Sequence, residues 1–347
     1  MKIVVLCGGL SMERDVSISS SALICRALRS LGHQAVLVDM YMGIEDDISL
    51  PELFETLPEI PLYSVPEHAP DLNEVRALRK WKSPSMLGKG VLELCKLADV
   101  VFLGLHGACG EDGRIQATLD LLGIPYTGSG CLGSALAMDK HLTKLLVEAA
   151  GLQTPKSTLV HYAEGDIERI MAQAYYPCVV KPVDSGSSVG VSIPHTPEEL
   201  RAALHENLHL GKVLIEQYIQ GRELDVAVLE DRALPAIEII PKEGFYDYKN
   251  KYQPGATVEL CPAPIEPEIE AKLEAAALTA HRTLGLSAYS RSDFIVDERG
   301  EVWFLEINTL PGMTPTSLMP QEAAAAGYSY EALCQKLVEL AMKEHTL

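Results

Sequence analysis

Residues 2–40 read as strand, loop, helix and strand, and few patterns restrict a chain more. KIVVLC (2–7) is an apolar run and GGLSMERD (8–15) a loop of small and polar residues. VSISSSALICRALRSLG (16–32) has helical texture and ends at a glycine, and HQAVLVDM (33–40) is a second apolar run. Strand–helix–strand at this spacing argues a parallel unit, because the helix returns the chain to the end of the sheet where it started. The alternation comes back in ADVVFLGLHG, GEDGRIQATLDLLG and the short strand IPYTG. The expected class is α/β.

Residues 44–90 are rich in Pro and Glu and weakly periodic, and read as a variable excursion outside the core. From Ser129 the texture changes. SGCLGSALAMDKHLTKLLVEAAG reads as one helix ending at Gly151, YPCVVKPV as a strand, and SGSSVGVS as a small-residue loop entering another strand. A helix follows in PEELRAALHENL, with Pro in its first turn, then strands in KVLIEQYI and RELDVAVLE around a turn at Gly221. Residues 268–285 form an amphipathic helix, RSDFIV and EVWFLEIN a hairpin across DERG, and the tail from Ser329 a last helix. Met138 and Trp303 read as core. The expected domains are residues 1–128, 129–211 and 212–347.

Acidic residues number 48 and basic residues 29, for a formal charge of −19. Such a surface repels nucleic acid and anionic membranes, so a small anionic ligand needs local lysines, arginines or a cation. None of the eight cysteines forms a C-x-x-C pair, which fits free thiols in a reducing cytoplasm. MKIVVLCGGL lacks the long apolar stretch and cleavage site of a signal peptide, and no apolar run reaches membrane-spanning length.

The hairpin carries the clearest chemistry. Glu306 and Asn308 alternate onto one face of their strand. A loop centred between Glu298 and Arg299 would set Asp293 opposite Phe304 and bring all three oxygen-bearing side chains to that face. Hard divalent cations take such oxygens, and magnesium commonly takes one or two carboxylates with substrate phosphates. A polar outer face on an edge hairpin is the plain alternative. Arg291, two residues before Asp293, favours the metal reading, since an arginine there suits a phosphate or an anionic intermediate.

SGSSVGVS follows the strand ending in Lys181, and small residues let backbone N–H groups approach phosphate oxygens. Neither a Walker P-loop nor a dinucleotide fingerprint is present. Lys181 behind the apolar CVV needs an anionic partner; Lys140 after AMD is either a second such lysine or a solvated lysine on a helix. Glu216 and Glu223 flank the IEQYIQGRE turn, where carboxylates could meet an adenine amine and ribose hydroxyls.

Taken in order, GGLSMERDVSISS, LHGACGEDGRIQ, YTGSG, AMDK, VVKPVDSGSSVGVS, EQYIQGRE, FYDYKNKY, SRSDF and LEINTLPGMTPTSLMP resemble the ATP-grasp superfamily, and within it the D-alanine–D-alanine ligases. The resemblance covers nearly the whole chain, least well at 44–90. It implies a three-domain architecture, with a Rossmann-like N-terminal domain and two α+β domains clamping ATP. It implies ATP-dependent joining of two D-alanines through an acylphosphate, for peptidoglycan precursors, with ATP and two magnesium ions (manganese a substitute). Asp293, Glu306 and Asn308 would hold the metal. Lys140, Lys181 and Lys251 would contact phosphates, with Ser187 and Ser188 of the loop beside the nucleotide. Glu216 and Glu223 would read adenine and ribose, with Tyr218 and Ile219 in the linking strand.

On the substrate side, the resemblance implies that Glu13 holds the first D-alanine's ammonium, with Ser187 orienting Glu13 and Tyr252. His106 would sit by that subsite. Arg291 and the Gly312 backbone would stabilise the tetrahedral intermediate, and Ser317 and Leu318 would bind the second D-alanine. Tyr252 and Leu318 match the dipeptide-forming branch over relatives that make D-alanyl-D-lactate or D-alanyl-D-serine. SGSSVG and FYDYKNKY are expected lids. A homodimer through the N-terminal domain is implied as well. Another ATP-grasp carboxylate–amine ligase, or a non-catalytic nucleotide-binding protein, are the alternatives.

Overall fold

The computed structural model describes the whole chain apart from residues 45–47, 62, 187, 243, 245, 247–249, 252, 254, 315 and 346–347. Its described strands form three sheets. In the first, β1 (Lys2–Cys7) lies between β2 (Gln34–Asp39) and β3 (Val100–Leu103), all parallel. β1 is buried on both faces, which is why it reads as an unbroken apolar run. The helix Arg14–Ser30 makes the crossover between β1 and β2. IPYTG adds only a bridge, Val101 to Tyr126.

One expectation about this part needs correction. Residues 44–90 are not excluded from the core: they contribute helices Leu50–Thr56 and Leu72–Leu78, and Leu53, Phe54 and Ile60 pack into the same cluster as β1. Their apolar residues are too sparse to show a period; Leu53, Phe54, Ile60 and Val75 are buried, while Leu78 and Trp81 stay exposed. The last helix, Tyr330–Glu344, buries Leu333, Leu337 and Val338 in that cluster too, so the chain's end closes the N-terminal layer.

The second sheet is antiparallel, in the order β4 (Ser157–His161), β6 (Lys212–Gln217), β5 (Cys178–Lys181). β6 therefore belongs with the central strands although it lies beyond residue 211; the chain leaves this sheet at the Gly221 turn. The stretch 131–151, expected as one helix, is two: Cys131–Met138 and Lys140–Ala149. Asp139 between them is extended, and its side chain accepts from the N–H groups of His141 and Leu142, an N-cap that starts a new helix. That break puts Lys140 at a helix start instead of mid-helix.

The third sheet runs β10 (Thr257–Leu260), β9 (Ile237–Pro241), β7 (Arg222–Leu229), β11 (Tyr289–Val296), β12 (Val302–Asn308), with β8 (Arg232–Ala233) on β7. Its two faces sort by parity. Leu224, Val226, Val228 and Phe294 pack against the helix Pro267–Thr283. The alternate residues Glu223, Asp225, Arg291 and Asp293 project from the other face.

The hairpin corrects the expected register. Its loop centres on Arg299, one residue longer than supposed, and is held by Asp297, whose Oδ1 accepts from Arg299 and Glu301 N–H. Phe294 then faces Phe304, and a bulge beyond that pair sets Asp293 opposite Glu306. The bulge inverts the parity of β12, so Phe304 packs toward the helix while Glu306 and Asn308 turn to the Asp293 face. Trp303 and Met138 are half-buried, not core; the Trp303 indole N–H donates to Asp297.

Candidate active site

Between the second and third sheets lies a cavity of about 510 Å³. Lys140, Lys181 and Lys251 line it, as do Ser188, Glu216, Tyr218, Ile219 and Glu223, and Asp293 and Glu306 close one end. A second cavity, of about 50 Å³, adjoins it. Glu13, His106, Arg291, Asn308, Gly312, Ser317 and Leu318 line the smaller one, and Glu306 and Lys251 border both. Every described candidate from the sequence thus faces one chamber or the other. Ser187 and Tyr252 lie outside the described residues.

In the wide cavity, cations and carboxylates are paired through side chains. Glu216, from β6, is 2% exposed and stands between Lys144 Nζ at 2.8 Å and Lys181 Nζ at 2.7 Å. Burial lowers the Lys144 ammonium to about 8, against the pull of Glu216. Lys140 Nζ donates to the Ser185 carbonyl and lies 3.3 Å from Glu306 Oε2. Burial opposes the charge on Glu306, but Lys140, Lys181 and Lys251 outweigh it and hold the carboxyl at about 2. Glu223 rises to about 7 through burial, which Lys251 only partly offsets.

The row across the third sheet fits a hard divalent cation. Asp293 and Glu306 are direct neighbours across β11 and β12, with Asn308 next on the same face. Two carboxylates and an amide leave room for phosphate oxygens and water, as magnesium prefers. The Asn308 amide donates to Asp293 Oδ1 at 3.3 Å, which turns its own oxygen elsewhere. Arg291 donates to both Asp293 oxygens, Nε at 3.0 Å and Nη2 at 3.1 Å. Burial works against the guanidinium charge, and Asp293 and Asp225 restore it and hold the group well above its usual range.

In the narrow cavity the groups are fixed mainly by backbone. Glu13, at the start of the helix Arg14–Ser30, is buried between two glycines: a Cβ at Gly186 would lie 2.2 Å from its Oε2, and one at Gly107 2.9 Å. A side chain at either position would push the Glu13 carboxylate aside. His106 Nδ1 is 2.9 Å from the Leu310 carbonyl. A carbonyl can only accept, so Nδ1 carries the proton and Nε2 is left as an acceptor with no partner among the described residues. Burial lowers the His106 pKa, despite Glu13, and keeps the ring neutral. Ser317 Oγ accepts from Thr314 N–H at 2.9 Å and packs under Gly312. Leu318 clusters with Ile237, Ile239 and Tyr246, an apolar wall.

Four participants were not singled out from the sequence. Glu111 accepts from Gly107 N–H at 2.8 Å and Leu310 N–H at 3.1 Å, tying the first sheet's loop to the last. Burial, then the charge of Glu13, raise it to about 8. Its signal was its place in LHGACGEDG, one residue past a glycine. Lys144 lies one helical turn after Lys140 on the same face. Asp225 was visible as a carboxylate inside the apolar strand LDVAVL. Tyr246 lies in the FYDYKNKY segment and borders both cavities.

A chamber of lysines beside paired carboxylates, opening on a pocket that ends in an arginine, is built to activate a carboxylate with a nucleotide. With one parallel and two antiparallel sheets around it, the molecule is an ATP-grasp ligase. Its N-terminal part (residues 2–129) matches the family model described as D-ala D-ala ligase N-terminus, and residues 146–339 match D-ala D-ala ligase C-terminus. The chain belongs to the D-alanine–D-alanine ligase family. It is 40% identical over 342 residues to a D-alanine–D-alanine ligase of Pediococcus pentosaceus, covering 97% of each chain. It is also 40% identical to one of Halalkalibacterium halodurans, covering 99% of this chain and all of that one. A crystal structure of the Bacillus anthracis ligase complexed with ATP matches at TM-score 0.72 and 28% identity, covering 99% of this chain and 98% of that chain. The Coxiella burnetii ligase matches at TM-score 0.73 and 27% identity, over 99% and 94% of the two chains. Among the described residues no helix is long and apolar enough to cross a membrane.

Proposed function

We propose that the chain joins two D-alanine molecules into D-alanyl-D-alanine, forming ADP and phosphate from ATP. The observation that carries this is the meeting of the two cavities at Glu306 and Lys251, with Arg291 in the narrow one. A nucleotide in the wide cavity directs its phosphates at that junction, and an amino acid held by Glu13 directs its carboxylate there.

Glu216, Tyr218, Ile219 and Glu223 take the nucleoside, and Lys140, Lys181, Lys251 and Ser188 the phosphates. The carboxylate of the first D-alanine accepts the γ-phosphoryl group, giving an acylphosphate and ADP. Its ammonium meets the Glu13 carboxylate and the open Nε2 of His106. The amine of the second D-alanine, held at Ser317 and Leu318, then attacks the acyl carbonyl and phosphate departs. Arg291 and the Gly312 N–H face the oxyanion. Magnesium, held by Asp293, Glu306 and Asn308, would supply compensation for phosphate charge. Ser187, Tyr252 and lid closure over the acylphosphate belong to the same reading, as do the three-domain division, a homodimer and a cytoplasmic location, where ATP is available.

The apolar wall at Leu318 offers no partner to a serine hydroxyl, which supports D-alanine as second substrate, although an apolar pocket rejects a hydroxyl only modestly. The test is phosphate release with D-alanine as first substrate and D-alanine, D-serine or D-lactate as second, with and without magnesium. We expect D-alanine to give the highest kcat/KM and activity to require the metal. A higher kcat/KM with D-serine or D-lactate overturns the assignment.

A further inference from the structure

Arg291 stands between two carboxylates, and only one of them receives its hydrogens. Its Nε–H points to Asp293 Oδ1 at 3.0 Å. Asp225 Oδ2 lies closer to the same Nε, at 2.8 Å, yet neither Asp225 oxygen has a hydrogen bond among the described residues. Asp225 is 0% exposed and lines neither cavity, so no nucleotide or metal reaches it. A buried carboxylate without hydrogen bonds is costly, and this one adjoins an N–H already given away.

The register explains what it is there for. Asp225, Asp293 and Glu306 stand in one row across β7, β11 and β12. A cation held in the Asp293–Glu306 half of that row competes with Arg291 for the Asp293 oxygens. Asp225 occupies the other side of Asp293, where it competes with nothing.

We infer that Asp225 is the positioning residue of Arg291: it accepts the guanidinium when a divalent cation takes Asp293, so that metal binding does not cast the arginine loose. This rests on the ligase reading above. The hand-over moves one hydrogen bond from Asp293 to Asp225 and keeps the guanidinium aimed into the narrow cavity. Partners of this kind, one step removed from a metal, typically change metal affinity or activity by about 10- to 100-fold when lost.

The experiment measures Mn²⁺ affinity of the full chain with ADP, by electron paramagnetic resonance, in wild type, Asp225→Asn, Arg291→Met and the double variant. Turnover is followed in parallel with D-alanine. In Asp225→Asn the arginine keeps its grip on Asp293, so Mn²⁺ should bind about tenfold more weakly. In the Arg291→Met background the same substitution should change Mn²⁺ affinity by less than about twofold, since there is no arginine to hand over. Equal Mn²⁺ affinity in wild type and Asp225→Asn overturns the inference. So does an equal loss in both backgrounds, which is what general damage to the sheet would give. Should Asp225→Asn not fold, Asp225→Ser takes its place in the cycle. Failure of the wild type to release phosphate with D-alanine would sink the ligase reading alone, because the Mn²⁺ arm with ADP needs no turnover.

Discussion

In the wide cavity, buried carboxylates face buried lysines, side chain to side chain; in the narrow one, Glu111 faces backbone N–H groups. Glu216 is gripped by Lys144 and Lys181, and Glu306 by Lys140. Glu111 is gripped by Gly107 and Leu310 N–H, and His106 by a carbonyl. Lysine is a flexible point charge that can change partners, whereas a backbone N–H points where the chain points. The first chamber can therefore exchange its internal ion pairs for phosphates without rearranging the fold. The second holds its groups in place for a reaction that tolerates little misplacement. Arg291 mixes the two modes, because it stands among side-chain partners but faces the narrow cavity.

The largest expected effect falls on that mixed residue. Arg291→Met removes the cation facing the oxyanion, and kcat should fall by about 10²–10³-fold. The KM for ATP should stay within about threefold, since Arg291 does not line the wide cavity. Steady-state kinetics with D-alanine checks both, and a kcat loss below tenfold would remove Arg291 from the chemistry.

A weaker blow to the backbone-held chamber is Glu111→Ala. It strands two buried N–H groups, at about 1–3 kcal/mol each, and lets the loop bearing His106 drift from Leu310. The kcat/KM for D-alanine should drop on the order of 10- to 100-fold with ATP affinity unchanged. An equal loss in ATP binding would mean that the two chambers are not held separately.

The complementary change in the wide chamber is smaller. Lys144→Met leaves Glu216 with Lys181 as its remaining cation, so Lys181 is less free to turn to phosphate. ATP affinity, read by calorimetry, should weaken about tenfold, with the KM for D-alanine unmoved. If instead the D-alanine KM shifts as much as that for ATP, the side-chain pairing is not confined to the nucleotide.

The same contrast explains what could be read from the sequence. Lys181 and Glu306 were legible because a charge inside an apolar strand must have a partner, and strand alternation says which way it points. Asp225 carries the same signal, but nothing local tells a buried ion pair from an edge residue. The bulge at Leu305 was illegible: one extra residue in one strand of a hairpin leaves no trace in an alternating pattern, yet it decides whether Glu306 faces the site or the helix. Glu111 was hidden for another reason. Its partners are backbone groups separated by 199 residues in one case, and no composition or spacing announces a carboxylate that binds main chain. Likewise the last helix gave its type and length plainly, but not that it would pack on the first sheet.

The smallest effect comes from behind both chambers and separates fold from site. His281, on the helix that covers the far face of β11, is 5% exposed, with its Nδ1 2.7 Å from Ser290 Oγ. Burial, and then the charge of Arg282, lower its pKa to about 4, with Asp231 pulling the other way. In the unfolded chain the ring titrates near about 6.5. Between those values the unfolded chain binds a proton that the folded one refuses. The contribution is therefore complete above pH 6.5 and lost as pH falls toward 4, and at pH 5 the loss is about 2 kcal/mol. His281→Gln cannot titrate, so its stability should fall less between pH 7.5 and 5.0, by about that amount, in urea unfolding followed by fluorescence. Because Ser290 and Arg291 point to opposite faces of β11, the KM values for ATP and D-alanine should not move at neutral pH. A variant as acid-sensitive as the wild type would shift the acid response to the carboxylates of the chambers themselves, and would erase the distinction between a rigid wall and the exchangeable charges in front of it.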